Sequence, residues 1–114
     1  MNSCIFCKIV SGEAYSQKLY EDELVTAFRD IHPVAPTHVL VVPNKHISSV
    51  NELTTEDALL IGRMFMTARQ VAEQEGVDQT GYRLIVNTGA HAGQAVFHLH
   101  LHVIGGQRMR FPMG

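Results

Sequence analysis

A chain of 114 residues with 46% hydrophobic and 18% charged side chains suits one compact globular domain, and residues 1–114 are read as a single domain. Its formal net charge of −2 excludes the basic field by which proteins gather phosphate backbones, so nucleic acid is not expected as a partner. No run of about eighteen apolar residues occurs, and the opening "MNSCIFCKIV" has too short an apolar run for a secretory signal, so a cytoplasmic protein without a membrane partner is expected. There the two cysteines, Cys4 and Cys7, stay thiols, and their C-x2-C spacing is half of a zinc site.

After the cysteines, "SGEAYSQ" reads as a turn region. "KLYEDE" and "LVTAFRDI" follow as two short strands of a hairpin joined through acidic turn residues. The two prolines of "HPVAPTH" remove backbone donors and restrict the residues before them, which makes this segment a loop. "THVLVVP", rich in β-branched residues, is a buried strand that ends at Pro43.

The long element is a helix over "TTEDALLIGRMFMTARQVAEQEG". Thr54 is its N-cap with Asp57 at the third helical position, and Gly76 stands where it stops. Leu60, Met64, Ala68 and Val71 recur at helical spacing beside Ile61, Phe65 and Ala72, which predicts one broad apolar face on a sheet. The cluster Met64, Phe65, Met66 is read as core. "GYRLIVNTG" and "FHLHLHVIGG" are the fourth and fifth strands, joined by the small-residue loop "NTGAHAGQAV". The sum is an α+β domain with a mainly antiparallel sheet.

The stretch "HLHLHVIGG" holds three of the seven histidines. In an extended strand His98, His100 and His102 share one face while Leu99, Leu101 and Val103 take the other. Neighbours two apart lie roughly 6 to 7 Å from one another, close enough for one small anion or metal to bridge them. Gly93, Gln94, Ala95 and Val96 directly precede this strand, and their amides can form an anion-binding nest facing the imidazoles. A nest beside histidines suits phosphate: a neutral imidazole attacks phosphorus, and a protonated one holds phosphoryl oxygens or protonates a leaving group. The same histidines also suit zinc and a metallohydrolase, and the residues alone leave both readings open.

The pattern His-φ-His-φ-His-φ, with φ apolar, resembles the signature of the histidine triad (HIT) superfamily of nucleotide hydrolases and transferases. "IFCKIVSGE", "LVTAFRDIHPVAPTHVLVVPNKHI", "GYRLIVNTG" and "HVIGGQRM" look like the Hint branch, the nucleoside phosphoramidate hydrolases. That resemblance implies a five-stranded antiparallel sheet with one long helix and a short N-terminal helix, joined with a second copy into a ten-stranded sheet in a homodimer. It makes His100 the nucleophile that takes up a purine nucleoside monophosphate, with His102 on the phosphate and His98 and His38 supporting and orienting the centre. Asp30 would bind the ribose hydroxyls and Ile31 the base and sugar. Asn87 and the stretch Gly93, Gln94, Ala95, Val96 match phosphate-side contacts. The implied substrate is a phosphoramidate such as adenosine 5′-phosphoramidate, cleaved without any metal in the chemistry.

In many bacterial HIT proteins the C-x2-C holds structural zinc with two histidines, which here would be His46 and His98 beside Cys4 and Cys7, one ion per chain. A histidine bound to zinc cannot act freely as an acid, which leaves the chemistry to His100 and His102. Two departures stand out: Ala95 replaces a serine common in the Hint branch, and Phe111 stands where relatives often carry tryptophan, in a tail that reaches the partner's site. His32 and His91 receive no role. The competing readings are a zinc hydrolase with the triad as ligands and a nucleotide-binding regulator with little turnover.

Overall fold

A computed structural model describes residues 3–110, so Phe111 and its expected reach into a partner's site lie outside the described residues. Helix α1 (Ile5–Ser11) is followed by strands β1 (Lys18–Glu21), β2 (Val25–Arg29) and β3 (Thr37–Pro43), helix α2 (Ala58–Gln74), and strands β4 (Tyr82–Ile85) and β5 (Leu101–Gly105). The strands form one antiparallel sheet in the order β1-β2-β3-β5-β4, the expected α+β architecture. No helix among the described residues is long and apolar enough to cross a membrane.

All seven residues of β3 are buried, because the sheet is covered on both faces at its centre. Val39 and Val41 join Val25, Ala27, Leu101 and Val103 beneath Leu60, Met64, Ala68 and Val71 of α2. Leu40 and Val42 face the other way and pack with Phe28 against Phe6 and Ile9 of α1. Each such side chain contributes about 1.5–3 kcal/mol when fully buried. Period-two alternation places His38 on the α1 side with Leu40, and register sets His102 opposite Leu40 on the same side.

Thr54 caps the helical region as expected, its N–H donating to Asp57 Oδ2 at 2.9 Å, but the first turn, Thr55–Asp57, is 3₁₀. At the far end the helix gives way to Gly76 at φ +76°, a left-handed position. The predicted apolar face is too broad. Phe65 and Met66 are 47% and 57% exposed, with Leu59 at 75%, whereas Met64 is buried. Each residue turns the helix by about 100°, so the two neighbours of Met64 swing away from the sheet that it meets.

The last two strands are also shorter than their sequence patterns. β4 stops at Ile85 and β5 begins at Leu101, so His98 and His100 precede the ladder. The Leu99 N–H instead donates to the Ile47 carbonyl at 2.6 Å, beyond the end of β3. Alternation survives this: Leu99 stays in the α2 core, while Phe6 on the opposite side meets both His98 and His100. The double glycine at the end of β5 has a steric cause. A Cβ on Gly105 would lie 2.9 Å from Val77, and Gly106 adopts φ +94° with Pro36 2.9 Å from where its Cβ would stand.

Ion pairs tie the sheet to α2. Arg29 grips Glu75 through two bonds of 2.9 Å each. At the β1–β2 turn, Asp22 accepts from the amides of Leu24 and Val25, from the Tyr20 hydroxyl at 2.7 Å and from Arg63 at 2.6 Å. Burial opposes the charge on Asp22, but the Tyr20 hydroxyl, the two amides and Arg63 outweigh it and lower its pKa from 3.8 to about 2. A depressed folded-state pKa is stability present above the unfolded value and lost as pH falls through the folded one. Asp22→Asn is therefore expected to lower the melting temperature at neutral pH and to flatten its decline between about pH 4 and pH 2. Thermal melts across that range check this; an unchanged slope would contradict it.

Candidate active site

Four groups meet on the α1 side of the sheet near the β3–β5 pair. His38 Nε2 lies 2.9 Å from His102 Nδ1 and 3.4 Å from Asp30 Oδ2. The Val34 N–H donates to His38 Nδ1 at 3.1 Å. An accepting Nδ1 puts the proton of neutral His38 on Nε2, where it donates to His102 Nδ1. His102 must then carry its own proton on Nε2, and that atom is buried with no partner among the described residues. Burial first, and then the neighbouring His100 and His38, lower the pKa of His102 from 6.5 to about 4. His38 is lowered as well, by burial against the opposing pull of Asp30.

His100 is oriented by the backbone. It is buried, and its Nδ1 lies 2.7 Å from the carbonyl of His98, an atom that can only accept. The proton of the neutral ring therefore sits on Nδ1, and Nε2 keeps an unprotonated lone pair. The rings of His100 and His102 are 5.0 Å apart, and Phe6 stands edge-on to His100 at 5.1 Å.

His98 is turned to a different task. Its Nε2 donates to the Pro43 carbonyl at 2.8 Å, so Nδ1 carries the lone pair. That Nδ1 lies 3.2 Å from His46 Nδ1, 3.4 Å from Cys4 Sγ and 3.5 Å from Cys7 Sγ, with His46 Nδ1 3.3 Å from Cys7 Sγ. These four residues are close enough to hold a metal. For metal–nitrogen bonds of about 2.0 Å and metal–sulfur bonds of about 2.3 Å at tetrahedral angles, donor separations run from roughly 3.3 Å between two nitrogens to roughly 3.8 Å between two sulfurs. The donor set fits: two thiols from one turn of α1, an imidazole just past β3, and an imidazole whose lone pair is fixed by its far-side hydrogen bond. Asp30, His38 and His102 form the other group of potential donors among the described residues. The triad does not converge on one point, since His98 belongs to the first group, His102 to the second and His100 to neither.

The loop before β5 differs from the expected nest in detail. The amides of Gly93 and Gln94 donate to the carbonyls of Ala90 and Gly89 at 3.0 and 3.1 Å, so they are already satisfied. Ala95 and Val96 are the positions whose N–H groups have no partner among the described residues. The Gln94 side chain is buried: its Oε1 accepts from Gly89 N–H and its Nε2 donates to the Ser48 and Val96 carbonyls. It shapes the loop from inside. Asp30 Oδ1 accepts from the His32 N–H at 2.8 Å, and neighbouring Ile31 is 79% exposed. Asn87 is half-buried two residues past the end of β4, and His32 and His91 are exposed, the first in a bend and the second in a 3₁₀ turn over Ala90–Ala92.

Several participants had no signal in the sequence. The Pro43 and His98 carbonyls and the Val34 amide choose the tautomers, yet any residue supplies such groups. Phe6 sits between the two cysteines and meets His98, His100 and Phe28. Its place between metal-ligand candidates was visible, its contacts were not.

With this geometry in place, the comparisons with known proteins are specific. The HIT domain family matches residues 11–109. The purine nucleoside phosphoramidase of Escherichia coli K12 is 52% identical over 110 residues, which span 96% of this chain and 89% of that protein. A HIT family hydrolase from Clostridium thermocellum superposes with a TM-score of 0.95 at 45% identity, covering 99% of this chain and 98% of that one. Another from Legionella pneumophila gives 0.94 at 43% identity, covering 98% and 100%. The fold and site thus define a histidine triad protein. This chain belongs to the HIT domain family.

The histidine network sets a pH response. His102 is expected to titrate near pH 4 by NMR and to be neutral at pH 7. Because its ordinary value is 6.5, the unfolded chain takes the proton first, and the fold loses stability as pH falls from 6.5 toward about 4. A titration midpoint at or above the ordinary histidine value would overturn this.

Proposed function

We propose that this protein is a hydrolase that cleaves the P–N bond of purine nucleoside phosphoramidates, of the adenosine 5′-phosphoramidate type, through a nucleotidyl intermediate on His100. The observation that carries the reading is the 2.7 Å bond from His100 Nδ1–H to the His98 carbonyl, which leaves Nε2 as the nucleophilic nitrogen. The 52% identity to a purine nucleoside phosphoramidase over 96% of the chain supports the substrate class.

In the first step His100 Nε2 attacks the α-phosphorus, a P–N bond forms to the imidazole, and the substrate's own P–N bond breaks as the amine leaves with a proton taken from solvent. Water then attacks the same phosphorus, displaces His100 and releases the nucleoside monophosphate. His102 Nε2–H, without a partner among the described residues, is free to donate to a phosphoryl oxygen. His38 orients it by donating to Nδ1. The Asp30 carboxylate accepts from the ribose hydroxyls, with Ile31 against base and sugar, while Asn87 and the amides of Ala95 and Val96 serve the phosphate. Gly93 and Gln94 hold that loop in shape rather than touching the ligand. Ala95 has no hydroxyl to relay a proton to the departing amine, so leaving groups that are poor without a proton should turn over slowly.

Zinc is the metal that the thiol and imidazole donors of Cys4, Cys7, His46 and His98 suit, one ion per chain, in a reducing compartment such as the cytoplasm. When bound, it supplies a cross-link: four protein ligands leave no open position for water or substrate. His98 thereby supports the centre without exchanging protons with it.

A homodimer completes this reading. β1 is a short sheet edge interrupted by a bulge between Lys18 and Tyr20, whereas β4 leaves the other edge open. The outer face of α2 presents Leu59, Phe65 and Met66. Pairing through β4 would join two sheets into one of ten strands.

Two measurements test the proposal. Wild type should release adenosine monophosphate from adenosine 5′-phosphoramidate, and folded His100→Ala should lose at least about 1,000-fold in kcat, the scale seen when a nucleophile is removed. Nucleotide binding without turnover by wild type would favour the regulator. Phe65→Glu should convert a dimer to a monomer in sedimentation; a wild-type monomer would overturn the dimer.

A further inference from the structure

We infer that the metal centre positions the nucleophile: ligation of His46 and His98 fixes the single peptide plane that holds the His100 ring in its reactive tautomer. This rests on the hydrolase reading for its kinetic consequence only. The plane is that between His98 and Leu99. Its carbonyl accepts from His100 Nδ1 at 2.7 Å, and its N–H donates to the Ile47 carbonyl at 2.6 Å. Both ends of this plane are therefore bound, one to the nucleophile and one to the residue next to a metal donor.

The surrounding bonds repeat that pairing of segments. His98 Nε2 donates to the Pro43 carbonyl at 2.8 Å, and His98 Nδ1 faces His46 Nδ1 at 3.2 Å. Residues 43–47 and 98–100 are thus stitched by two hydrogen bonds and by whatever cation joins the two imidazoles. The β3–β5 ladder does not join these two stretches, because its last pair is Val41 with Leu101. Without a metal, the exposed His46 side chain meets the centre through Nδ1, 3.2 Å from His98 Nδ1 and 3.3 Å from Cys7 Sγ, contacts that rotation of the exposed ring breaks.

Phe6 extends the same connection from the thiol side. It lies between Cys4 and Cys7 on α1 and stands edge-on to His98 at 5.9 Å and to His100 at 5.1 Å. Gripping the cation through Cys4 and Cys7 seats α1, and seating α1 presses Phe6 on the nucleophile's ring. His46 and His98 are positioning residues by this argument, since neither needs to touch the substrate. Their effect should fall on kcat, because a nucleophile displaced by about 1 Å can cost about 100-fold in rate.

The test compares zinc-loaded wild type, chelator-treated wild type, cadmium-exchanged wild type and His46→Asn. Each is assayed for bound metal, thermal stability, the tautomer of His100 by ¹⁵N NMR of the ring, and steady-state kinetics on adenosine 5′-phosphoramidate. Folded, metal-depleted protein is expected to show His100 as a mixture of tautomers and a kcat roughly ten- to a hundredfold lower, with KM within about twofold. Returning zinc should restore both in wild type. If chelation unfolds the chain, the cadmium form decides: a larger ion in a retained fold should shift the His100 signals and lower kcat. His100 signals and kcat equal to the zinc form, in folded metal-free or cadmium protein, would overturn the inference and leave the ion a stability element alone. Metal-dependent His100 signals without turnover in any form would instead defeat the hydrolase reading and leave this inference standing.

Discussion

The site depends on where each imidazole keeps its one proton. A neutral ring has two nitrogens, and the hydrogen bond made by one decides what the other can do. His100 gives its proton to the His98 carbonyl, so its far nitrogen is basic. His98 donates its N–H to the Pro43 carbonyl, so its other nitrogen keeps the lone pair that faces His46 and the two thiols. His102 accepts a hydrogen bond from His38 at Nδ1, so its own proton sits on Nε2, which has no partner among the described residues. Three histidines of one short motif thereby present different free atoms, and backbone atoms or a fourth histidine choose which.

Burial is what makes these assignments firm. The lowered pKa of His102 reflects desolvation more than any single neighbour. In water the rings would titrate near their ordinary value and sample both tautomers. Inside the sheet face burial lowers His38 and His102 below that value, and each ring has a defined partner geometry. The core that provides this burial is two-sided: α2 packs one face of the sheet, and α1 with Phe6 and Ile9 closes the other. The short helix is therefore structurally part of the site, although it contributes no reacting atom.

Strand alternation made much of this legible in advance. Leu99, Leu101 and Val103 enter the α2 core and the three histidines face away from it, as the pattern of the motif requires, even where the ladder itself is absent. The C-x2-C pair and the helix from Thr54 to Gly76 were equally readable, since caps and spacings are local properties. Phe65 and Met66 misled because composition marks them apolar while helical phase turns them outward. The loop Gly93–Val96 misled in part because two of its amides are consumed by carbonyls a few residues back.

The sequence by itself determined which residue types were available and which face each would take, because side-chain period along a strand or helix is a local consequence of backbone geometry. It also determined the HIT resemblance, through motifs that span nearly the whole chain. Only the tertiary structure decided how the three histidines divide their work. His98 and His100 are two residues apart in the chain but keep different company, because the Nδ1 of one meets Cys4, Cys7 and His46 and the Nδ1 of the other meets a carbonyl. Those partners come from segments distant in sequence, and the hydrogen bonds that choose among tautomers run to main-chain atoms that every residue possesses.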